Sequence, residues 1–338
     1  MLAALGVPAT AAADEIVSVH LVSQGGDAEV STEAPKRALA DDGVTLAAVL
    51  GVKVAGKVQY FSEASKVRIG KKTHDARPIS EAPPAFLLWF KIEPTAENMS
   101  NEASGKFQFE SIEYAETPIP TWVFQSTMTA DVRPTLTTDR GQGYGTMRYK
   151  LVAVTPAGLF STPGIESRRR RGSGGLTDQV HRVSLRKDDT YLGYLTEMYG
   201  QPYIWASAGQ TDKTHQTEQL EGSDCADFVV YGQRRMGNKV SYTWTGGLDV
   251  YTRKLARGTP NDDGIYIDDD GAEVPFPEVG DLVLFPRHVG VLVEDRGRVG
   301  VLDHEDIMVH TLFESPHEQA IGDTGHYATT WIETLRWK

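Results

Sequence analysis

The chain of 338 residues contains a single cysteine, Cys225. Ser223 and Asp224 precede it and a partly apolar segment continues to Met236, so the pattern predicts a helix whose first turn holds the thiol. Unpaired amide groups and the positive end of a helix dipole favour a thiolate there, and the thiolate is the reactive form of cysteine. One thiol cannot form an intramolecular disulfide or a cysteine-rich zinc site. Cys225 is therefore a candidate nucleophile, with a small buried core residue as the alternative.

A cysteine nucleophile needs a base, and two of the nine histidines occupy predicted strands after this helix. His288 begins a run of Val and Gly residues, and His310 lies within a later apolar run. Either histidine alone is also compatible with a core residue whose ring is hydrogen-bonded. Together with Cys225 they supply a nucleophile, a base and a group that orients the base. His304 and His317 are nearby competitors, and His304 falls in a predicted turn.

The elements that would position these residues belong to the second half of the chain. Residues 191–199 show helical spacing, the Cys225 helix follows, and β-like runs occupy much of 281–333. Helices followed by an antiparallel sheet predict an α+β domain over residues 178–338. Residues 15–167 contain many short β-like runs separated by Pro and Gly. They predict an accessory sandwich or small barrel of one or two modules, SH3-like or Ig/fibronectin-like.

Two further segments complete the predicted organisation. Residues 1–14 are Ala-rich and end in small residues before Asp14, which predicts the remnant of a secretory signal, with a floppy tail as the alternative. Residues 168–177 combine four arginines with Gly and Ser and predict a solvated linker. A signal remnant indicates an exported protein, either periplasmic, wall-associated or extracellular.

The charge balance and the missing motifs exclude several classes of function. Lys and Arg number 34 against 46 Asp and Glu, a net charge of −12, which argues against nucleic acid as a partner. No apolar run approaches the roughly 20 residues of a membrane-spanning helix. The acidic loop 261–271 fits a solvated turn better than a calcium loop, because the spacing and the final glutamate are wrong. No glycine motif for phosphate or dinucleotide binding is present. We therefore predict no metal and no cofactor, and leave the oligomeric state open.

Three blocks, in order, resemble the NlpC/P60 family of papain-like bacterial cell-wall cysteine peptidases. The segment 199–205 (YGQPYIW) resembles the family's Tyr-Gly-x-Pro-Tyr-x-Trp-Gly block, and 223–229 (SDCADFV) resembles its Asp-Cys-Ser-Gly helix start. The segments 280–285 (GDLVLF) and 288–292 (HVGVL) resemble its Gly-Asp-Leu-Val strand and the following His-Val-Gly strand. A weaker fourth match is 307–310 (IMVH). The resemblance covers roughly residues 185–338.

The resemblance implies a role for each matched residue. Cys225 would be the nucleophile, His288 the general base and then the acid, and His310 the residue that orients the His288 ring. Tyr203 and Trp205 would lie at the substrate site, where Tyr203 contacts the oxyanion or the substrate. Asp224 would bind a substrate amine while it caps the helix. The implied activity is hydrolysis of peptidoglycan stem peptides, at the bond between γ-D-glutamate and a diamino acid, diaminopimelate or L-lysine. The implied partners are these stem peptides or their fragments.

Several departures from the family pattern leave other functions open. Ala226 and Asp227 replace the usual Ser-Gly after the cysteine, and long insertions are predicted around 206–224 and 258–280. The same Cys/His machinery could then act on another amide or an ester, as an amidase or acyltransferase. A third alternative is a non-catalytic wall-binding protein with a degenerate peptidase domain.

Overall fold

The computed structural model describes residues 14–26, 28–169 and 174–338. Strands account for 42% and helices for 13% of the structure. Its main architectural units are a closed six-stranded barrel and a half-barrel. The predicted α+β class, with papain-like helices packed on a sheet over 178–338, is therefore wrong.

Helices are short because the helical patterns in the sequence are short. In the described part of the chain the α-helices are α1 (Tyr191–Leu195) and α2 (Cys225–Arg235). The helical spacing predicted over 191–199 gives five α-helical residues and one 3₁₀ turn at Thr196–Met198. Part of the predicted insertion 258–280 is itself β-structure. Strands therefore dominate the second half of the chain as they do the first.

The first half of the chain is built mainly from strands. These strands are β1 (Glu15–Gly25), β2 (Ser31–Thr32), β3 (Lys36–Leu39), β4 (Val44–Val54), β5 (Lys57–Phe61), β6 (Lys66–Ile69), β7 (Lys72–Arg77), β8 (Phe86–Pro94), β9 (Asn98–Ser100), β10 (Tyr114–Pro118), β11 (Thr127–Thr129), β12 (Gly145–Thr155), β13 (Gly158–Ser161) and β14 (His181–Arg186). The barrel closes in the order β1-β2-β6-β7-β5-β4 and back to β1, and β11 extends it from β4. The half-barrel has the order β10-β8-β12-β14-β3, with β13 on β12.

Strand β4 shows why the barrel and the half-barrel pack together. Every residue from Leu46 to Val52 is buried, because alternate side chains of one strand enter two different cores. Ala47 and Val49 point into the barrel with Val22 and Val67. The side chains on the other face of β4 lie in a core that is shared with the half-barrel. Members of that core include Leu46, Ala48, Leu50, Trp89, Tyr149 and Leu151. A continuous apolar run is the sequence signature of such a doubly buried strand.

The two predicted connecting segments lie partly outside the described residues. Residues 1–13 and 170–173 are not among them. At the start of the predicted linker, Arg169 Nε donates to the carbonyl of Leu176 at 2.8 Å and pairs with Glu221 at 3.1 Å. Strand β14 follows the linker and pairs with β12 and, in parallel, with β3. The half-barrel therefore contains a strand from the range that the sequence assigned to the peptidase domain.

The second half of the chain holds a seven-stranded sheet with α2 against one face. The strands in this half of the chain are β15 (Tyr203–Trp205), β16 (Thr252–Pro260), β17 (Tyr266–Ile267), β18 (Leu282–Phe285), β19 (His288–Glu294), β20 (Ile307–His310), β21 (His317–Ala320) and β22 (Ile332–Trp337). All of them except β15 belong to the seven-stranded sheet. The sheet order is β17-β16-β22-β18-β19-β20-β21. Phe228 and Val229 of α2 share a core with Val289, Val291 and Val309. This core fixes α2 relative to β19 and β20.

The two halves are joined by strand pairing and by buried charge. β9 pairs in parallel with β15, so the first half of the chain supports the segment that precedes α2. Glu197 is fully buried, and Arg235 of α2 contacts both of its oxygens, at 2.9 and 3.0 Å. Arg37 of β3 and Arg186 of β14 reach the same carboxylate at 3.9 and 3.7 Å. Among the described residues, no helix is both long and apolar enough to cross a membrane.

Candidate active site

Helix α2 begins at Cys225, as the sequence predicted. Asp224 is its N-cap, and one carboxylate oxygen accepts from the backbone N–H of Ala226 at 3.0 Å and of Asp227 at 2.9 Å. These bonds satisfy two of the amides that every helix start leaves unpaired. Cys225 itself is 7% exposed, so the thiol lies at the boundary between the core and solvent.

The two predicted histidines lie on neighbouring strands and contact each other. His288 is the first residue of β19, after a tight turn in which Arg287 has a φ of 69°. His310 is the last residue of β20. Nε2 of His288 lies 2.8 Å from Nδ1 of His310. Gly290 packs closely against β20, since a Cβ there would lie 2.7 Å from the Met308 sulfur and 3.4 Å from the Cβ of His310.

The thiol lies against the start of β19. The backbone N–H of Val289, next to His288, donates to the Cys225 sulfur. Tyr327 lies near both groups, since its ring centroid is 5.0 Å from that of His288 and its pKa is raised by the charge of a Cys225 thiolate, after the larger effect of burial. Nδ1 of His288 is buried and has no hydrogen-bond partner among the described residues. The structure therefore brings the predicted nucleophile, base and orienting residue into one cluster.

Burial keeps the Cys225 thiol and the His288 ring neutral in the free protein. Burial first, and then the negative charge of Asp224, raise the pKa of the Cys225 thiol. Burial alone lowers the pKa of His288 to about 3. The thiolate predicted from the helix start is therefore not the resting form. The capping carboxylate opposes the positive field of the helix end, and sequence patterns do not measure how deeply the sulfur is buried.

An open cavity of about 350 Å³ gives access to the thiol. Its lining contains Cys225, all three predicted substrate residues, Ala226 and three residues that the sequence did not single out. The full lining is Tyr203, Trp205, Asp224, Cys225, Ala226, Trp244, Thr245 and Arg287. Trp205 and Trp244 are 43% and 74% exposed, so indole rings form much of the rim. A second cavity of about 450 Å³ shares Asp224 and Trp244 with the first.

The second cavity contains buried polar groups that the sequence did not reveal. The Ser207 hydroxyl donates to Asp227 at 2.6 Å, and His215 Nε2 lies 3.4 Å from the same oxygen. The His215 ring stacks on Tyr242 with centroids 3.9 Å apart. Burial first, and then the charge of Asp224, raise the pKa of Asp227 well above its usual range. Burial thus favours the protonated form of Asp227 beside the capping residue.

The first half of the chain holds one wall of the site. Tyr203 donates its backbone N–H to the carbonyl of Glu97 at 2.8 Å. Asn101 is 3% exposed, and its side-chain amide donates to the carbonyl of Ala206 at 2.9 Å and to Gln216 at 2.7 Å. Glu97 and Asn101 lie within a polar stretch of sequence that contains no recognisable motif. No local signal could have linked them to a site more than a hundred residues later.

The competing histidines have different environments. His304 Nε2 contacts the carbonyl of Ala328 at 2.9 Å, and its ring packs edge-on against Tyr266, so it serves the local structure. His317 lies beside His310, with ring centroids 5.0 Å apart. Within the described ranges, no group of three or more His, Cys, Asp or Glu side chains could hold a metal ion.

Comparison with known proteins gives little further support. No family model matches the chain, and no curated protein matches it. The chain is similar to the crystal structure of an NlpC/P60 family protein from Bacillus cereus ATCC 10987, with 13% identity over 86% of this chain and 79% of that chain and a TM-score of 0.26. A similarity this weak does not establish the fold or the function. The functional assignment must rest on the side chains of the site.

Proposed function

We propose that this protein is a cysteine peptidase in which Cys225 attacks an amide carbon and His288 is the base. The observation that carries the proposal is Nδ1 of His288, a buried nitrogen without a hydrogen-bond partner among the described residues, beside the strand residue whose N–H contacts the thiol. A buried polar atom left unpaired costs on the order of 1–3 kcal/mol. This nitrogen must accept a proton during the reaction, and that role explains why it is left unpaired despite the cost in free energy.

The chemistry follows from these positions. The thiol proton moves to Nδ1 of His288 as the sulfur bonds to the amide carbon. The backbone N–H of Cys225 is the first amide of α2, and it can donate to the resulting oxyanion. Tyr203 lines the same cavity, and burial raises its pKa, so its hydroxyl keeps a proton to donate.

Three proton transfers through His288 complete the cycle. The imidazolium gives its proton to the leaving amine as the C–N bond breaks, which leaves a thioester. Water then loses a proton to His288 and attacks the thioester. The C–S bond breaks, and the sulfur recovers its proton from the imidazolium. The net reaction consumes one water for each amide bond and releases a carboxylic acid and an amine.

For the substrate, we propose peptidoglycan stem peptides cut between γ-D-glutamate and the diamino acid. The support is the ordered set of blocks that resembles NlpC/P60 peptidases, together with the cleft around Cys225. Asp224 supplies an acidic group in that cleft, and the exposed indoles supply apolar contact area. Such a substrate requires the protein to reach the cell wall, so the proposal includes export.

The test uses synthetic L-Ala-γ-D-Glu-diamino acid peptides, with diaminopimelate or L-lysine, and measures the release of new amine. We expect cleavage by the wild type and none by Cys225→Ala or His288→Gln. His304→Gln is the matched histidine control and should retain activity, because His304 bonds to a backbone carbonyl of another loop. Absence of cleavage by folded wild-type protein, with both peptides and with purified peptidoglycan, would contradict the proposed substrate.

A further inference from the structure

The second cavity, of about 450 Å³, continues from the cavity at the thiol, because Asp224 and Trp244 line both. The rest of its lining comes from Phe107, residues 206–212, His215, Asp227, Tyr242 and Thr243, and none of it from β18 to β22. In the proposed reaction His288 gives a proton to the leaving amine, so the leaving half of the substrate lies toward those strands. The acyl half, bonded to the Cys225 sulfur, then extends past Asp224 toward the second cavity.

Asp224, where the two cavities meet, keeps one acceptor for a ligand. One carboxylate oxygen accepts from both backbone N–H groups at the start of α2, and the other makes no hydrogen bond with the described residues. A carboxylate oxygen can accept from an N–H group of a bound molecule. In peptidoglycan the nitrogen of L-Ala is an amide with one N–H, because the lactyl group of N-acetylmuramic acid acylates it. That N–H can donate to Asp224 while the sugar enters the second cavity.

Trp244 gives the second cavity a flat apolar wall. The six-membered ring of its indole lies against Gly246, where a Cβ would come within 2.3 Å of two ring carbons and 2.9 Å of a third. The side chain is nevertheless 74% exposed, so the side of the ring away from Gly246 is open. Phe107, in the loop between β9 and β10, adds another exposed aromatic ring to the lining. Such rings offer apolar contact area to the C–H face of a sugar.

The floor of the second cavity is polar, and its groups are already paired within the protein. The Ser207 hydroxyl donates to Asp227 at 2.6 Å and accepts from the backbone N–H of Asp224 at 3.0 Å. Arg234 donates to Asp212 at 3.1 Å. Because these carboxylates already have donors, the floor suits the neutral hydroxyl and amide groups of a ligand better than a further cation.

We propose that the second cavity binds the N-acetylmuramoyl group attached to the stem peptide, with the sugar ring stacked on Trp244 and the L-Ala N–H on Asp224. A pyranose ring has apolar C–H faces and a rim of polar groups, which match the open indole and the polar floor. The cavity volume lies within the roughly 300–1,000 Å³ of small-molecule sites. The inference rests on the proposed function and narrows its substrate to stem peptides that are still joined to the glycan.

Binding to the Cys225→Ala protein tests this site without cleavage. Titration calorimetry compares N-acetylmuramoyl-L-Ala-D-Glu with N-acetyl-L-Ala-D-Glu, which keeps the amide but lacks the sugar. We expect the sugar to tighten binding by roughly 2- to 12-fold, the equivalent of one stacked aromatic contact. No detectable binding of the muramoyl ligand, equal affinities of the two ligands, or tighter binding of L-Ala-D-Glu with its free amine would overturn the inference.

Substitutions in the Cys225→Ala protein locate the sugar. Trp244→Ala should abolish the difference between the two ligands, whereas Trp244→Phe should keep part of it because an aromatic face remains. Gly246→Ala should reduce the difference, since the added Cβ displaces the indole. Phe86→Ala removes a 57% exposed ring outside both cavities and should leave the difference unchanged. A folded Trp244→Ala variant that keeps the full difference would contradict the inference.

Thermal unfolding of each variant checks that it is folded. The proposed function and the sugar site can fail separately. If the muramoyl ligand binds through Trp244 and the wild type cleaves no stem peptide, the peptidase proposal fails and the sugar site stands. If stem peptides are cleaved and the sugar adds nothing to binding, the sugar site fails alone.

Discussion

Replacing Asp224 with Asn tests how the start of α2 controls the thiol. Asp224 caps the helix through the N–H groups of Ala226 and Asp227, and its charge adds to burial in raising the pKa of Cys225. Asn is as good an N-cap as Asp, so the substitution keeps the cap and removes the charge. We therefore expect the helix to persist and the pKa of Cys225 to fall.

The expected size follows from the chemistry of thiols. Removing a like charge beside an ionisable group lowers its pKa by roughly 1–3 units. Each unit gives ten times more thiolate, but a less basic thiolate is a weaker nucleophile, so the net gain in rate is about 3-fold per unit. Alkylation of Asp224→Asn should be faster than wild type by roughly 3-fold to 50-fold. Burial raises the pKa of Asp224 to about 6, so the gain should appear only above about pH 6, where the carboxyl is ionised.

The assay follows iodoacetamide labelling of Cys225 across this pH range by mass spectrometry. Asp227→Asn is the matched control, because burial raises the pKa of that carboxyl well above its usual range and its charge contributes less than that of Asp224 to the pKa of Cys225. Its rate should stay within about twofold of the wild type. An Asp224→Asn variant that reacts no faster than wild type near pH 8, or that gains equally near pH 5, would refute the electrostatic role of Asp224.

Three further predictions concern stability. Glu197→Ala removes the fully buried carboxylate that Arg235 contacts and should lower the free energy of unfolding in urea by about 3–5 kcal/mol, whereas the exposed Glu81→Ala should lower it by under about 1 kcal/mol. Equal losses would contradict the role of the buried carboxylate. Asn101→Leu should lower the free energy of unfolding by about 1–3 kcal/mol and speed the amide hydrogen exchange of residues 203–207. The exposed Asn98→Ala should change neither quantity. Unchanged exchange in Asn101→Leu would contradict the role of Asn101 in holding residues 203–207. Burial lowers the pKa of His181 to about 4 from an ordinary 6.5, so stability should be constant above about pH 6.5 and fall by up to about 3 kcal/mol as the pH drops to 4. His181→Gln should reduce this loss of stability at acid pH, and an unchanged pH profile in that variant would refute the assignment of the loss to His181.

Local patterns predicted the pieces of the site well. The start of α2 was predicted at Cys225 with Ser223 or Asp224 as the N-cap; the structure confirms the start and shows that the cap is Asp224. The start of β19 at His288 was likewise predicted and is confirmed. An N-cap needs a side-chain oxygen within three residues of the backbone N–H groups that donate to it. A strand is indicated by the alternation of apolar and polar residues along its own length. Both signals lie within a few residues of chain.

The same patterns failed for the fold class. Helical spacing over 191–199 predicted a helix there, and only Tyr191–Leu195 is α-helical. Strand pairing between distant segments, such as β9 with β15, leaves no mark in either segment alone. The β-rich architecture depends on such pairings, so the α+β prediction weighted two short helical signals too heavily.

The sequence by itself determined which residues have reactive groups and which of them begin a helix or a strand, because those properties depend on neighbours along the chain. Only the tertiary structure decided the state of those groups. It buried Cys225 and His288 so that both are neutral, and it placed the ring of His310 against that of His288. Desolvation and hydrogen-bond direction depend on every atom that surrounds a group in space, and most of those atoms come from distant parts of the chain.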